Sequence, residues 1–290
     1  MRVLIIAAST FLASSVCAQV PDAAPVVAAE RAFSADFPAL GLAGSFRKWS
    51  RPDGIVIDGG RAWTVAALFE GAPRTRRDGE PVLNWWPTFA GIAMSGDLGF
   101  TTGPAAQDGL PYGHYFTMWS RQADGRWLWV YDGGSAASPD GQPGADSAPR
   151  LLPVATVGSA SPDDALAEVR AVEAALAVAA RVDQKAAHLA VMADDGRLYV
   201  VPRPPAEGPD AFAPALDSWP ARFDFGPTEG GGASAAGDLV WTYGPVAWVR
   251  DSGPRSGHYM RLWQKRPEGW RLVMAQLISA PIAAPPPAGG

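Results

Sequence analysis

Two histidines stand in the same short motif, and imidazole is the side chain best suited to proton transfer near neutral pH. The motif Gly113-His114-Tyr115 recurs later in the chain as Gly257-His258-Tyr259. A neutral imidazole at the rim of a pocket could act as a general base or bond a ligand. Alternatively, each histidine satisfies a backbone group at a strand end, and the sequence leaves both readings open.

Asp58 is the second weak catalytic candidate. It follows the apolar run Ile55-Val56-Ile57 and precedes two glycines and Arg61. A carboxyl group at the end of a buried strand can have a raised pKa and abstract a proton. The neighbouring Arg61 is equally consistent with a turn that carries a surface ion pair.

Several familiar chemistries are not indicated by the sequence. It has no His-Glu-x-x-His motif, no cysteine cluster and no Gly-x-Ser-x-Gly motif, and its three histidines (114, 188 and 258) are far apart. The formal net charge is −5, and the sole basic cluster is Arg74-Thr75-Arg76-Arg77. We therefore expect no metal, no cofactor and no nucleic-acid partner.

The elements that position these candidates occur twice. The string GDLGFTTGP at residues 96–104 returns as GDLVWTYGP at 237–245, and each copy is followed by Gly-His-Tyr, a tryptophan four residues after the tyrosine, and a Gly-x-Trp or Gly-Trp turn. Long identities in the same order are typical of a duplicated folding unit. Each copy predicts helices first and then a meander of antiparallel strands, so the fold class is α+β, with two tandem cone-shaped domains.

Alternation along the third strand of each meander separates two faces. In the first copy His114, Phe116 and Met118 share one face, and Tyr115 and Trp119 lie on the other. Because the first face is apolar, we predict that it looks inward, under the helices. The aromatic and cationic face would then be exposed or would contact another sheet.

Other recurring side chains are predicted to be structural. Asp97 and Asp238 follow glycine in hairpin turns, where aspartate bonds its own backbone. Glu30 and Glu173 stand at matching places on the first helix of each copy, and we expect them to cap the helix or pair with nearby cations.

The chain also resembles a known superfamily. The motifs that carry the resemblance are ERAFSAD at 30–36, DGIV at 53–56, Trp86-Pro87, SGDLGFTTGP at 95–104 and GHY at 113–115. They resemble the SnoaL-like, nuclear-transport-factor-2-like superfamily, in an exported bacterial branch of unassigned function. The resemblance implies a cystatin-like cone in each copy and, since members commonly pair sheet against sheet, an internal pseudo-dimer.

A cone with an aromatic interior predicts a pocket for a small apolar or aromatic molecule, mainly in the first domain. The candidate ligand-binding residues are Phe33, Trp86, Phe100, His114, Phe116, Trp127, Trp129 and His258. The leading hypothesis is a non-enzymatic binding module. The alternatives are a lyase or isomerase that uses Asp58 or His114 as its base, and a structural or partner-binding protein.

The chain is expected to divide into five segments. Residues 1–18 are predicted to be a signal peptide, because an apolar run is followed by small residues before Gln19. The SnoaL-like domains would span 25–133 and 161–280, joined by a Pro/Gly-rich linker at 134–160, with a disordered tail at 281–290. The protein would then be periplasmic or secreted, and we predict no membrane span.

Overall fold

The computed structural model describes residues 20–282, which form two curved β-sheets with helices packed on the outer face of each. The predicted signal peptide and residues 283–290 of the predicted tail lie outside the described residues. The α+β class and the two cone-like units agree with the sequence prediction. Within the described part of the chain, no helix is both long and apolar enough to cross a membrane.

The first unit begins with a long helix and ends with the two longest antiparallel strand pairs of its sheet. Its helices are α1 (Ala24–Trp49) and α2 (Val65–Leu68). Its strands are β1 (Ser50–Asp58), β2 (Arg61–Thr64), β3 (Leu83–Trp85), β4 (Phe89–Ile92), β5 (Leu98–Gln107), β6 (Leu110–Arg121), β7 (Trp127–Ser135) and β8 (Arg150–Leu151).

The second unit follows the same plan. Its helices are α3 (Pro162–Leu189) and α4 (Pro209–Leu216). Its strands are β9 (Met192–Tyr199), β10 (Ala206–Glu207), β11 (Asp224–Phe225), β12 (Gly230–Ala233), β13 (Leu239–Arg250), β14 (Gly253–Arg266) and β15 (Gly269–Ser279). The short glycine-rich strand β12 pairs with β13 in an antiparallel arrangement.

Strand order is equivalent in the two sheets. The first sheet runs β2-β1-β7-β6-β5-β4-β8, and the second runs β10-β9-β15-β14-β13-β11. In each sheet the strand after the long helix pairs in parallel with the last long strand, while the three longest strands form an antiparallel meander. Equivalent positions on the two sheets can therefore be compared through their pairing registers.

The two sheets pack face to face, and one apolar core contains residues of both. Phe100, Phe116 and Met118 of the first sheet lie in this core with Met260 and Leu262 of the second. The prediction that the His114-Phe116-Met118 face looks inward under the helices was therefore wrong. Apart from His114, this face is apolar because it packs against the apolar face of the second sheet. Helix α1 covers the mixed aromatic face instead.

A β-bulge in the last strand of each meander changes which side chains share a face. Trp119 pairs with Trp129, but Met118 pairs with Tyr131, so Val130 is the extra residue. Trp129 consequently lies under helix α1, whereas Tyr131 lies between the sheets.

The paired sheets also exchange hydrogen bonds at their hairpin turns. Asp238 accepts a bond from the Met94 backbone at 2.9 Å, and Asp97 accepts one from the Ala235 backbone at 3.0 Å. The sequence indicated that each of these aspartates bonds its own backbone. They instead connect the two units, and burial raises the pKa of Asp238 although Ser234 and Met94 donate to it.

Each long helix is broken once. In α1 the break is at Gly41, with φ 66° and ψ −174°, and not at Pro38, which lies within the helix. Leu42 then begins the second half of α1 by donating its backbone N–H to Glu80 at 2.7 Å. In α3 the break is at Asp183, whose carboxylate accepts the Ala186 N–H at 3.0 Å.

Candidate functional site

Helix α1 lays one apolar stripe across the first sheet. Val26, Phe33 and Phe37 recur at helical spacing and are buried against the sheet. Phe33 contacts several aromatic rings, among them Trp85 at 4.8 Å and Trp129 at 6.3 Å between centroids. The stripe thus closes the narrow end of the cone with aromatic side chains.

One residue in this stripe is acidic. Glu30 is fully buried, and it accepts hydrogen bonds from the indole N–H groups of Trp85 (2.5 Å) and Trp119 (2.9 Å) and from the Thr101 hydroxyl. It forms no ion pair within residues 20–282, so the prediction that it caps the helix or pairs with a cation was wrong. Burial raises the pKa of Glu30, although its three donors act in the opposite direction.

Asp132 is a second buried carboxyl in the same cone. It lies opposite Thr117 in the β6–β7 pair, and the Thr117 hydroxyl donates to one of its oxygens at 2.8 Å. Burial, assisted by the charge of Glu30, raises the pKa of Asp132 well above its usual value. A protonated Asp132 can donate a hydrogen bond, which an ordinary surface aspartate cannot do at neutral pH.

Tyr115 supplies a third polar group. Its ring is buried beside Trp85, and its hydroxyl has no hydrogen-bond partner among the described residues. Burial, and then the charge of Glu30, raises the pKa of Tyr115 well above 10, so the phenol remains protonated. A buried hydroxyl without a partner is costly unless a ligand or water completes it.

Two of these three groups border a cavity of about 540 Å³, within the size range of small-molecule sites. Tyr115 and Asp132 belong to its wall, together with Asp58 at the end of β1. Most of the remaining wall is apolar, including Leu42, Phe46, Val56, Leu68, Phe69, Leu83 and Trp85.

The two weak catalytic candidates border this same cavity, but in different settings. Asp58 is exposed to solvent. The His114 ring packs 5.4 Å from the Tyr199 ring of the second sheet, and its Nδ1 lies 3.2 Å from the Ala137 carbonyl. Burial lowers the pKa of His114 to about 4, so the imidazole is neutral at physiological pH.

Five of the other predicted ligand-binding residues lie in one of two apolar cores. Phe33, Trp127 and Trp129 lie in the cone, in the core beneath α1. Phe100 and Phe116 lie between the sheets, because the faces are opposite to those predicted.

Two predicted residues lie outside both cores. Trp86 is half-buried and donates to the Pro143 carbonyl at 2.8 Å, while its neighbour Trp85 fills the cone. His258 lies at the head of β14, where its Nε2 is 3.1 Å from Glu229.

Sequence reasoning did not identify Glu30, Asp132 and Tyr115 as site residues. For Glu30 a signal was present, since a carboxylate stands within the helical spacing of Val26 and Phe33. For Tyr115 the signal was its place on the mixed face. Asp132 gave no usable signal, because its pairing with Thr117 depends on the bulge at Val130.

Within residues 20–282, no three histidine, cysteine, aspartate or glutamate side chains cluster closely enough to hold a metal ion. The first cone instead offers neutral hydrogen-bond donors and an apolar wall. Such a site can orient a ring-shaped molecule through one oxygen acceptor.

No protein-family model matches the chain, and no curated protein matches it. Among solved structures, a DUF3225 protein of unknown function from Pectobacterium atrosepticum is 22% identical, with a TM-score of 0.33. That match covers 40% of this chain and 91% of the other. A ketosteroid isomerase-like protein from Erwinia carotovora atroseptica is 18% identical, with a TM-score of 0.35, and covers 41% of this chain and 99% of its own.

A nuclear transport factor 2-like superfamily protein from Salmonella enterica is also similar, at 12% identity and a TM-score of 0.34. It covers 44% of this chain and 99% of its own length. The Salmonella protein is described as a member of the nuclear-transport-factor-2-like superfamily, the superfamily that the motifs of this chain resemble.

Proposed function

We propose that the first unit binds a small, neutral, predominantly apolar ring-shaped molecule in the cavity between α1 and the first sheet. The observation that supports this most directly is the Tyr115 side chain, which borders the cavity and whose buried hydroxyl has no partner among the described residues. Asp132 borders the same space and, when protonated, offers a second donor.

The charge of the cone favours a neutral ligand. Glu30 and Asp132 are both buried there without an ion pair among the described residues, so an anion would meet repulsion from either group once it ionises. A neutral ring with one hydroxyl or carbonyl oxygen fits the apolar wall and can accept from Tyr115.

We expect the neutral two-ring phenol 2-naphthol to bind saturably, with its fluorescence changed by transfer into the cavity. Tyr115→Phe removes one neutral hydrogen bond and should weaken binding about three- to tenfold. The same substitution should leave stability unchanged or slightly raised, since the hydroxyl has no protein partner to lose.

Tyr259→Phe is the matched control, because Tyr259 occupies the same motif position in the second unit. It should not alter 2-naphthol affinity. Equal affinities for the wild type and Tyr115→Phe, or absence of saturable binding, would contradict the proposed site.

A further inference from the structure

The second cone contains a buried cation where the first contains a hydroxyl. Arg261 of β14 is 1% exposed, and its guanidinium carbon lies 4.2 Å from the ring centroids of both Phe225 and Tyr259. Neither of its terminal nitrogens has a hydrogen-bond partner among residues 20–282. Guanidinium is a strong fork-shaped donor, so a buried one with both ends unused is exceptional.

The nearest carboxylate does not form a hydrogen bond with Arg261. Glu173 lies 3.6 Å from Arg261 Nη1, an ion pair too long for a hydrogen bond. Its carboxylate oxygens instead accept from Thr242 (2.5 Å), Trp263 (3.0 Å) and Thr228 (2.7 Å). The Glu173 carboxylate thus takes its hydrogen bonds from neutral donors and forms only the long ion pair with Arg261, whose two terminal nitrogens make no hydrogen bond among the described residues.

The pairing registers explain why the cation fits. In the first sheet Thr117 lies opposite Asp132, whereas in the second sheet Arg261 lies opposite Ala275. Thr117 and Arg261 occupy matching positions, because each lies two residues before the buried tryptophan of its strand, Trp119 or Trp263. Arg261 therefore stands at the place of Thr117, and Ala275 stands at the place of Asp132. The small alanine leaves room for the longer arginine side chain.

Arg261 belongs to the wall of a groove of about 450 Å³ between helix α3 and the segment that joins β11 to β12. Thr228 and Ala177 stand on its opposite sides, and the exposed Arg170 and Arg181 lie along its α3 side. Arg181 is paired with Asp224 at 2.8 Å, while Arg170 forms no ion pair among the described residues. Glu173 also belongs to the groove wall and offsets the charge of Arg261, so the excess positive charge of the groove is that of Arg170.

We propose that this groove is a second binding site, separate from the cavity of the first unit, and that it takes a small organic carboxylate. The carboxylate would accept from the two terminal nitrogens of Arg261, and the apolar part of the molecule would lie against Ala177 and Phe225. The two cones would then take ligands of different charge, a neutral molecule in the first and an anion in the second.

Benzoate is the probe, with benzamide as its neutral counterpart, titrated calorimetrically against the full chain. We expect saturable benzoate binding and at least tenfold weaker benzamide binding. Arg261→Thr installs the residue found at the matching place in the first unit, and it should weaken benzoate about tenfold or more, since hydrogen bonds to charged groups are among the stronger ones.

Ala177→Phe tests the site without touching the guanidinium, because its ring would fill the groove. It should also weaken benzoate about tenfold, and it keeps the proposal testable if Arg261→Thr does not fold. Arg222→Ala removes an exposed positive charge of the same unit and should leave affinity unchanged.

Three results would overturn the proposal. They are absence of saturable benzoate binding, wild-type affinity in Ala177→Phe or in folded Arg261→Thr, and weakening of benzoate by Tyr115→Phe. The last would place benzoate in the first cavity instead.

Discussion

The buried acids of the first cone show how individual residues acquire unusual chemistry from their surroundings. Glu30 and Asp132 are ordinary carboxyl groups placed beneath an aromatic helix face, and burial raises the pKa of both. Each keeps hydroxyl or indole donors, which limit the cost of desolvation without supplying a positive charge. The contribution of these two carboxyl groups to the free energy of unfolding should therefore depend on pH.

Asp132→Asn should stabilise the protein, and by more at pH 7.5 than at pH 4.5. The folded pKa of Asp132 is raised, so its contribution is favourable below the unfolded pKa near 3.8 and is lost as pH rises toward the folded value. An amide stays neutral and still accepts from Thr117. We expect a gain of about 1–3 kcal/mol at pH 7.5, the cost of a poorly compensated buried polar group, measured by urea unfolding.

Asp58→Asn is the control for this pH dependence. Asp58 borders the same cavity but is exposed, so its replacement should change the unfolding free energy by no more than about 0.5 kcal/mol at pH 7.5. If the gain in unfolding free energy from Asp132→Asn did not grow with pH, ionisation of the buried carboxyl would not destabilise the protein.

At the scale of single elements, the break in α1 determines how the cone is closed. Gly41 has a backbone conformation open almost solely to glycine, and a Cβ there would lie 2.8 Å from both Arg76 Cα and a Glu80 carboxylate oxygen. The bend turns the second half of α1 so that Phe46 packs under Trp129 at 5.3 Å. Phe46 also borders the cavity, so the bend shapes the proposed site.

Gly41→Ala should cost about 1–3 kcal/mol in backbone strain alone, with a further loss from the close contact to the 76–80 loop. Gly59→Ala is the matched control, since its φ is also positive at 58° but nothing lies within 4 Å of the added Cβ. Chemical denaturation should give the larger loss for Gly41→Ala. Equal losses of unfolding free energy in the two variants would mean that the 76–80 loop moves away from the added methyl group at no energetic cost.

The sequence predicts the positions of these helices and strands better than it predicts which face of each strand lies beneath a helix. Helical spacing and turn residues indicated α1, the meander strands and the repeated plan. The orientation of the sheet was inverted, because hydrophobic pattern alone cannot distinguish a face beneath a helix from one against another sheet. Trp119 and Tyr115 appeared suited to a surface, yet they lie in the cone, where Glu30 accepts from the Trp119 indole.

The candidate site was predictable only where local spacing determines it. Phe33, Trp127 and Trp129 were predicted to bind the ligand; they lie in the core beneath α1, but none of them belongs to the wall of the 540 Å³ cavity. The pairing of Thr117 with Asp132 depends on a bulge, and long-range register of this kind cannot be read from a single strand.

For the whole molecule, the shared core between the sheets predicts that the two units unfold together. Met118 is fully buried in that core with Met260 and Leu262 of the other sheet. Met118→Ala should cost about 2–5 kcal/mol and should accelerate native-state hydrogen exchange in β13 and β14 as well as in β5 and β6. Calorimetry should show one transition in the wild type and in the variant.

Leu110→Ala is the control, because Leu110 is 70% exposed at the start of β6, and its effect should stay within about 0.5 kcal/mol. Acceleration of exchange confined to the first sheet, or two separate transitions, would show that the units are energetically independent.

The difference between Thr117 and Arg261 has a consequence for how such a protein can change over generations. In a homodimer one gene encodes both subunits, so every mutation appears in both pockets and their symmetry is enforced. Here the two sheets pack like partners of a dimer while each cone has its own codons. A mutation can alter one pocket and leave the other intact, so the chain is free to acquire two different specificities within one symmetric framework.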